Sequence, residues 1–131
     1  MICPVCRGET LVTLEFRGSE LEFCPTCRGV WLGFDQRTAF GSSLDAVGSA
    51  PPDPTSGERP RSCPQCGKRM EKLRSEVTTA IRLDRCAKHG IWFDNGELRA
   101  ILESTGHDAR SWVEFLRQVL SLRPEGEEVV P

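Results

Sequence analysis

Seven cysteines set in spaced pairs, one pattern that runs through the chain twice, and too little apolar material for one ordinary core predict the fold class. It is a small, metal-stabilised α+β fold of two tandem modules. Each module is a short antiparallel β-hairpin followed by a short helix, and an amphipathic helix follows the second. Of the 131 residues 38% are hydrophobic and 7% aromatic, with no Tyr. A chain so poor in aromatics favours small modules that need a metal or disulfide staple.

The repeat spans residues 3–40 and 63–102. Cys3-Pro4-Val5-Cys6 answers Cys63-Pro64-Gln65-Cys66, and Cys24-Pro25-Thr26-Cys27 answers Cys86-Ala87-Lys88-His89. Gly29-Val30-Trp31-Leu32 then answers Gly90-Ile91-Trp92-Phe93. The ligand pairs are 17 residues apart in the first copy and 19 in the second, the difference a hairpin tip of variable length would make. His89 stands where the first copy has Cys27, so seven Cys and one His make eight donors in two matched sets of four.

The donor chemistry points to zinc. Zinc takes four soft or borderline ligands in a tetrahedron. Two Cys separated by two residues reach one ion when the backbone turns tightly between them. Pro after the first Cys sets up that turn and a nearby Gly relieves it. The expected ligands are Cys3, Cys6, Cys24 and Cys27 for one Zn2+, and Cys63, Cys66, Cys86 and His89 for a second. Iron on the four thiolates of the first set is the rival metal; the mixed second set favours zinc. A disulfide framework fits an odd cysteine count poorly. A thioredoxin-like role needs a βαβ context, which is missing.

Each element follows in order. Thr10 to Phe16 alternates as a strand, Arg17-Gly18-Ser19 is a turn, and Leu21 and Phe23 lead to Cys24. In the second copy, residues 70–76 and 80–85 flank a tip at 77–79. Val30-Trp31-Leu32 and Ile91-Trp92-Phe93 each read as a third strand. Two knuckles joined by such a hairpin make a zinc ribbon. Asp94-Asn95-Gly96-Glu97 is a capping box before Leu98, Ile101 and Leu102. Asp35 caps a poorer helix through Phe40. Residues 41–62, rich in Gly, Ser and Pro, read as a flexible linker with no role beyond spacing. Trp112, Phe115, Leu116, Val119 and Leu120 form one helical stripe, with Ser111 as N-cap and Pro124 as stop. A helix this short is marginal alone, so it is expected to dock in cis. The division is therefore 1–40 first ribbon, 41–62 linker, 63–103 second ribbon, and 104–131 terminal helix with a frayed acidic tail.

The run Cys86-Ala87-Lys88-His89-Gly90-Ile91-Trp92-Phe93-Asp94-Asn95-Gly96-Glu97-Leu98, with Cys63-Pro64-Gln65-Cys66 before it, resembles the bacterial transcription-factor-zinc-finger family, whose name comes from the zinc ribbon of transcription factor IIB. The first copy resembles it less. Gly33 stands at the family's Asp, Gln36 at its Glu and Arg37 at its Leu. The resemblance implies zinc binding and a small ribbon fold in two tandem copies. A molecular function does not follow from the fold alone.

Trp31 and Trp92 are read as packing over the knuckles, where apolar shielding is scarce, rather than as an exposed platform. A refinement has the two copies packing against each other through these faces. His107 has no counterpart in the repeat and is read as a surface residue. The formal charge is −2, and zinc with its thiolates takes the loaded chain to about −5. An anionic chain is a poor default ligand for phosphate backbones. The cations of the second copy, among them Lys68, Arg69, Lys72, Arg85 and Lys88, alternate with Glu71, Glu76 and Asp84 as on a solvated face.

Zinc sites filled by four protein ligands leave no open position, and there is no spare nucleophile or phosphate loop, so an enzyme is not expected and no catalytic residue is assigned. The favoured function is a protein-interaction adaptor linked to transcription, with another protein as partner. A nucleic-acid-binding regulator ranks second and a zinc-thiolate redox sensor third. The beginning Met1-Ile2-Cys3 has no basic or apolar leader, and no run reaches membrane-spanning length, so the expected location is the cytoplasm with no membrane partner. Oligomeric state is left open.

Overall fold

The structure, a computed structural model, describes residues 1–16, 18–35, 52, 61–74, 82–104 and 109–121. Among the described residues six strands form one antiparallel sheet: β1 (Val12–Phe16), β2 (Ser19–Phe23), β3 (Val30–Gly33), β4 (Glu71–Arg74), β5 (Arg82–Cys86) and β6 (Gly90–Phe93). Two helices follow, α1 (Glu97–Ser104) and α2 (Ala109–Ser121). The strand order is β1-β2-β3-β6-β5-β4, so each copy contributes three adjacent strands and the copies meet between β3 and β6.

The seam is in register about Trp31 and Trp92, which lie directly opposite, flanked by Val30 with Phe93 and Leu32 with Ile91. The copies therefore share one sheet rather than standing as separate modules, joined edge to edge at β3 and β6. Two strands of one hairpin are marginal alone. Pairing β3 with β6 covers what would otherwise be two exposed edges.

Alternation along the strands sorts side chains onto two faces. One carries Phe16, Leu21, Phe23, Val30, Leu32, Leu73, Leu83, Ile91 and Phe93, packed with Leu98, Ile101 and Leu102 of α1 and Trp112 of α2. The other carries Trp31, Trp92, Leu11 and Met70 with Cys3, Cys24 and Cys63. The layers are thus helices, sheet and cysteine knuckles. Trp31 and Trp92 are 1% and 0% exposed, which rules out an exposed aromatic platform and places both under the knuckles.

α2 begins at Ala109, so Ser111 lies inside its first turn and does not cap it. Trp112 meets Phe16 edge-on at 5.1 Å and stacks on Phe115 at 5.6 Å, while Phe115 reaches Phe16 at 5.0 Å. A helix that follows the second copy in sequence thus closes over the hairpin end of the first.

The linker, residues 41–62, lies outside the described residues except at Pro52, Arg61 and Ser62. Its expected spacer role fails at these points. Pro52 bridges Leu73, Ser62 bridges Arg69, and the Met70 N–H donates to the Arg61 carbonyl at 2.8 Å. The first copy has the same arrangement, with an Ile2–Thr10 bridge and Leu11 N–H donating to the Met1 carbonyl at 2.9 Å. The repeat therefore begins two residues before each first cysteine. The helix expected after Asp35, the tip at residues 77–79, His107, Pro124 and the acidic tail lie outside the described residues. Among the described residues, no helix is long and apolar enough to cross a membrane.

Candidate metal centres

The backbone at three of the four knuckles is built the same way. A tight turn follows the first Cys: Arg7, Arg28 and Gly67 each donate their N–H to the carbonyl of Cys3, Cys24 and Cys63 at 2.9, 2.7 and 2.8 Å. These three residues adopt left-handed φ of 66°, 64° and 80°. Only the third is the glycine that chemistry prefers there. In the first two turns the nearby glycines, Gly8 and Gly29, sit one place after the left-handed residue. The fourth knuckle is one residue shorter: His89 N–H donates to the Cys86 carbonyl at 3.0 Å, and Gly90 already belongs to β6. Backbone N–H groups also point at the sulfurs. Val5 and Cys6 donate to Cys3 Sγ at 3.4 and 3.3 Å, and Gln65 and Cys66 to Cys63 Sγ at 3.3 and 3.4 Å. Cys27 N–H reaches Cys24 Sγ at 3.5 Å. Such donors favour thiolate.

These turns bring all eight sequence-predicted donors into two sets, Cys3, Cys6, Cys24, Cys27 and Cys63, Cys66, Cys86, His89, with every donor atom within 4.8 Å of the others in its set. All seven cysteines are free thiols. A tetrahedral ion with metal–sulfur bonds of about 2.3 Å sets sulfurs roughly 3.8 Å apart, and a sulfur and an imidazole nitrogen roughly 3.6 Å apart. Cys3 and Cys27 Sγ are 3.6 Å apart, Cys6 and Cys24 3.8 Å, and Cys66 and Cys86 3.8 Å. His89 presents Nδ1 at 3.5 Å from Cys86 Sγ and 3.9 Å from Cys63 Sγ. A disulfide would need sulfurs near 2 Å. The spacing and donor types fit two Zn2+ ions, one per set.

Burial pushes the Cys6 and Cys63 thiols up to about 11. Burial would raise Cys24 too, but N–H groups of Cys27 and Thr26 hold it below the usual thiol value. Loading therefore expels protons held by the crowded thiols. The two sets differ in exposure. Cys3 and Cys24 are buried and Cys6 and Cys27 half-buried, whereas in the second set Cys63 is buried, Cys86 and His89 half-buried and Cys66 exposed.

Asp94, read as the capping residue of α1, has its carboxylate elsewhere. It accepts the Trp92 indole N–H at 3.0 Å and pairs with Arg61 at 2.6 Å. The capping contact runs from Glu97, whose carboxylate accepts the Asp94 N–H at 2.8 Å. Arg61 also reaches Asp84 at 3.4 Å, and Lys72 lies 2.6 Å from Asp84. Burial raises the Asp84 carboxyl above its ordinary value, opposed by Lys72. In the first copy the cross-strand pair at the same register is Thr13 with Glu22, at 3.0 Å and exposed. Gly33 stands in the first copy where Asp94 stands in the second, which is why that copy departs from the motif at this point. Arg61 escaped the sequence reading; its signal was its place two residues before Cys63, matching Met1 before Cys3.

Comparison with protein families matches the family described as transcription factor zinc-finger over residues 2–36 and 62–104. Those segments contain all eight donors. Comparison with curated proteins and with solved structures returns no match.

Proposed function

The chain belongs to the transcription factor zinc-finger family, and from that premise we propose that it is a non-catalytic adaptor: a zinc-stapled platform that presents a fixed surface to another protein. The observation that supports this reading is the closure of both sites. Four protein donors surround each zinc position, so neither ion keeps the open place at which catalytic zinc holds water or substrate. The shared sheet adds to it, since a platform held at β3–β6 carries two knuckle pairs in one orientation. The family description ties such modules to transcription, so that machinery is where a partner is to be sought. Seven free thiols suit a reducing compartment, which supports a cytoplasmic location.

Two measurements test the reading. Elemental analysis of protein purified without added metal gives two zinc per chain, and His89→Ala gives about one. Iron, or a single zinc in the wild type, removes the closed-zinc argument. Cross-linking in the native cell, with and without chelator, then asks for a zinc-dependent protein partner. If nothing but nucleic acid is captured, the adaptor reading gives way to the nucleic-acid one.

A further inference from the structure

Beside the second zinc position lies a groove of about 710 Å³ whose lining includes Lys68, Arg69, Glu71, Arg85, Ala87 and Lys88. In sequence its cations alternate with acids and look like an ordinary mixed surface. In the fold two of these acids, Glu71 and Asp84, already have cationic partners. Glu71 is held by Arg85 at 2.8 Å, and Asp84 is buried under Lys72 and Arg61. Lys68, Arg69 and Lys88 remain, all exposed, and among the described residues no carboxylate pairs with them.

The simplest account of these cations is that they balance the zinc-thiolate charge. The two sites argue against it. A site of four thiolates carries −2 and one of three thiolates and a neutral His carries −1. Around the more negative first site the knuckles carry two cations, Arg7 and Arg28, which likewise have no carboxylate partner among the described residues. The less negative second site has three unpaired cations. The cation surplus is on the wrong site for charge balance, so it serves something else.

We propose that this groove docks an acidic segment of a partner protein. The inference rests on the adaptor reading and names the surface that reading uses. Carboxylates would meet Lys68, Arg69 and Lys88, with the exposed Ala87 beside them. A protein segment suits the groove better than nucleic acid. Among the described residues no aromatic side chain is exposed to stack a base. Local cations within an anionic protein give the complementarity that selects one short acidic stretch.

The test is fluorescence anisotropy with a labelled glutamate-rich peptide on the zinc-loaded full chain. A single-stranded oligonucleotide of equal charge serves as the rival probe. The wild type binds the peptide, and binding weakens as salt rises. The triple variant Lys68→Gln/Arg69→Gln/Lys88→Gln, shown to keep two zinc per chain, loses about tenfold in affinity. The control Arg7→Gln/Arg28→Gln at the first site stays within about twofold. Should the triple variant drop zinc, the single Lys88→Gln and Lys68→Gln variants replace it, each weakening binding measurably. No binding by the wild type, unchanged binding by the loaded variants, or tighter binding of the oligonucleotide overturns the proposal. Native cross-linking separates it from the adaptor reading. A partner captured equally by wild type and triple variant removes the groove and keeps the adaptor. Peptide binding with no partner captured keeps the groove and removes the adaptor.

Discussion

At the scale of single residues, Gly29 and Gly90 show what the seam between the copies demands. A Cβ on Gly29 would fall inside the Trp92 ring, and one on Gly90 would strike the Leu32 carbonyl and the Gly33 backbone. Neither needs an unusual φ; each is small because the opposite copy comes too close for anything larger. Gly29→Ala and Gly90→Ala are each expected to cost about 1–3 kcal/mol through overpacking. Gly8→Ala, with nothing near the new methyl, should stay within roughly 0.5 kcal/mol. Urea unfolding of the zinc-loaded chain measures all three; equal effects at Gly8 and Gly29 would mean that the seam is not closely packed. Asp94 carries a second lesson at this scale. Its place before a helix reads as a cap, yet its carboxylate fixes the Trp92 indole and draws in Arg61. Glu97 alone makes the side-chain capping contact with it.

At the scale of elements, the pairing of β4 with β5 contains a buried ion pair. Lys72 and Asp84 side chains are 9% and 2% exposed and 2.6 Å apart. Removing one partner strands a buried charge, whereas replacing both with apolar residues removes the desolvation cost as well. Asp84→Ala or Lys72→Met alone is expected to cost about 3–5 kcal/mol, and Lys72→Met/Asp84→Leu to lie near or above wild-type stability. A double-mutant cycle by chemical denaturation decides it, and additive single effects would show the pair to be uncoupled. The helix α2 is held by Trp112, which is 2% exposed against Phe16 and Phe115. Trp112→Ala is expected to cost about 3–5 kcal/mol. It should also free the helix, seen as loss of near-ultraviolet aromatic dichroism with both zinc ions retained. An unchanged aromatic signal would show that α2 docks by other contacts.

At the scale of the whole molecule, six strands in one sheet mean that the two metal sites are not independent. Trp31 belongs to the first copy but packs at the seam, in one cluster with Trp92 and with Cys63 of the second site. Trp31→Ala should therefore lower the chelator concentration at which zinc leaves the second site as well as the first. Unchanged release from the second site would leave the copies coupled only by their connection. Trp112 of α2 covers Phe16 of the first hairpin, so the helix that follows the second copy also holds the first. Metal binding is expected to supply much of the folding free energy, on the scale of about 10–16 kcal/mol found for zinc-finger peptides, so chelation should unfold both halves together.

The sequence by itself determined the eight donors, the zinc chemistry, the hairpins and the burial of Trp31 and Trp92 beneath the knuckles. These are local properties: a Cys-x-x-Cys turn fixes where two sulfurs point, and period-two alternation fixes which face a strand buries. The duplication made His89 legible as a ligand, since it occupies the place of Cys27. What only the tertiary structure decided is non-local. Nothing in the pattern of β3 or β6 says that each must take the other as neighbour, because edge strands carry no address beyond shape and hydrogen bonds. The ion pair from Arg61 to Asp94 spans 33 residues, and Arg61 lies in a stretch whose composition reads as a spacer. The capping role assigned to Ser111 failed because α2 already starts at Ala109. The cation groove emerged for the same reason: Glu71 and Asp84, two of the acids that mask Lys68, Arg69 and Lys88 in sequence, are paired in space with Arg85, Lys72 and Arg61.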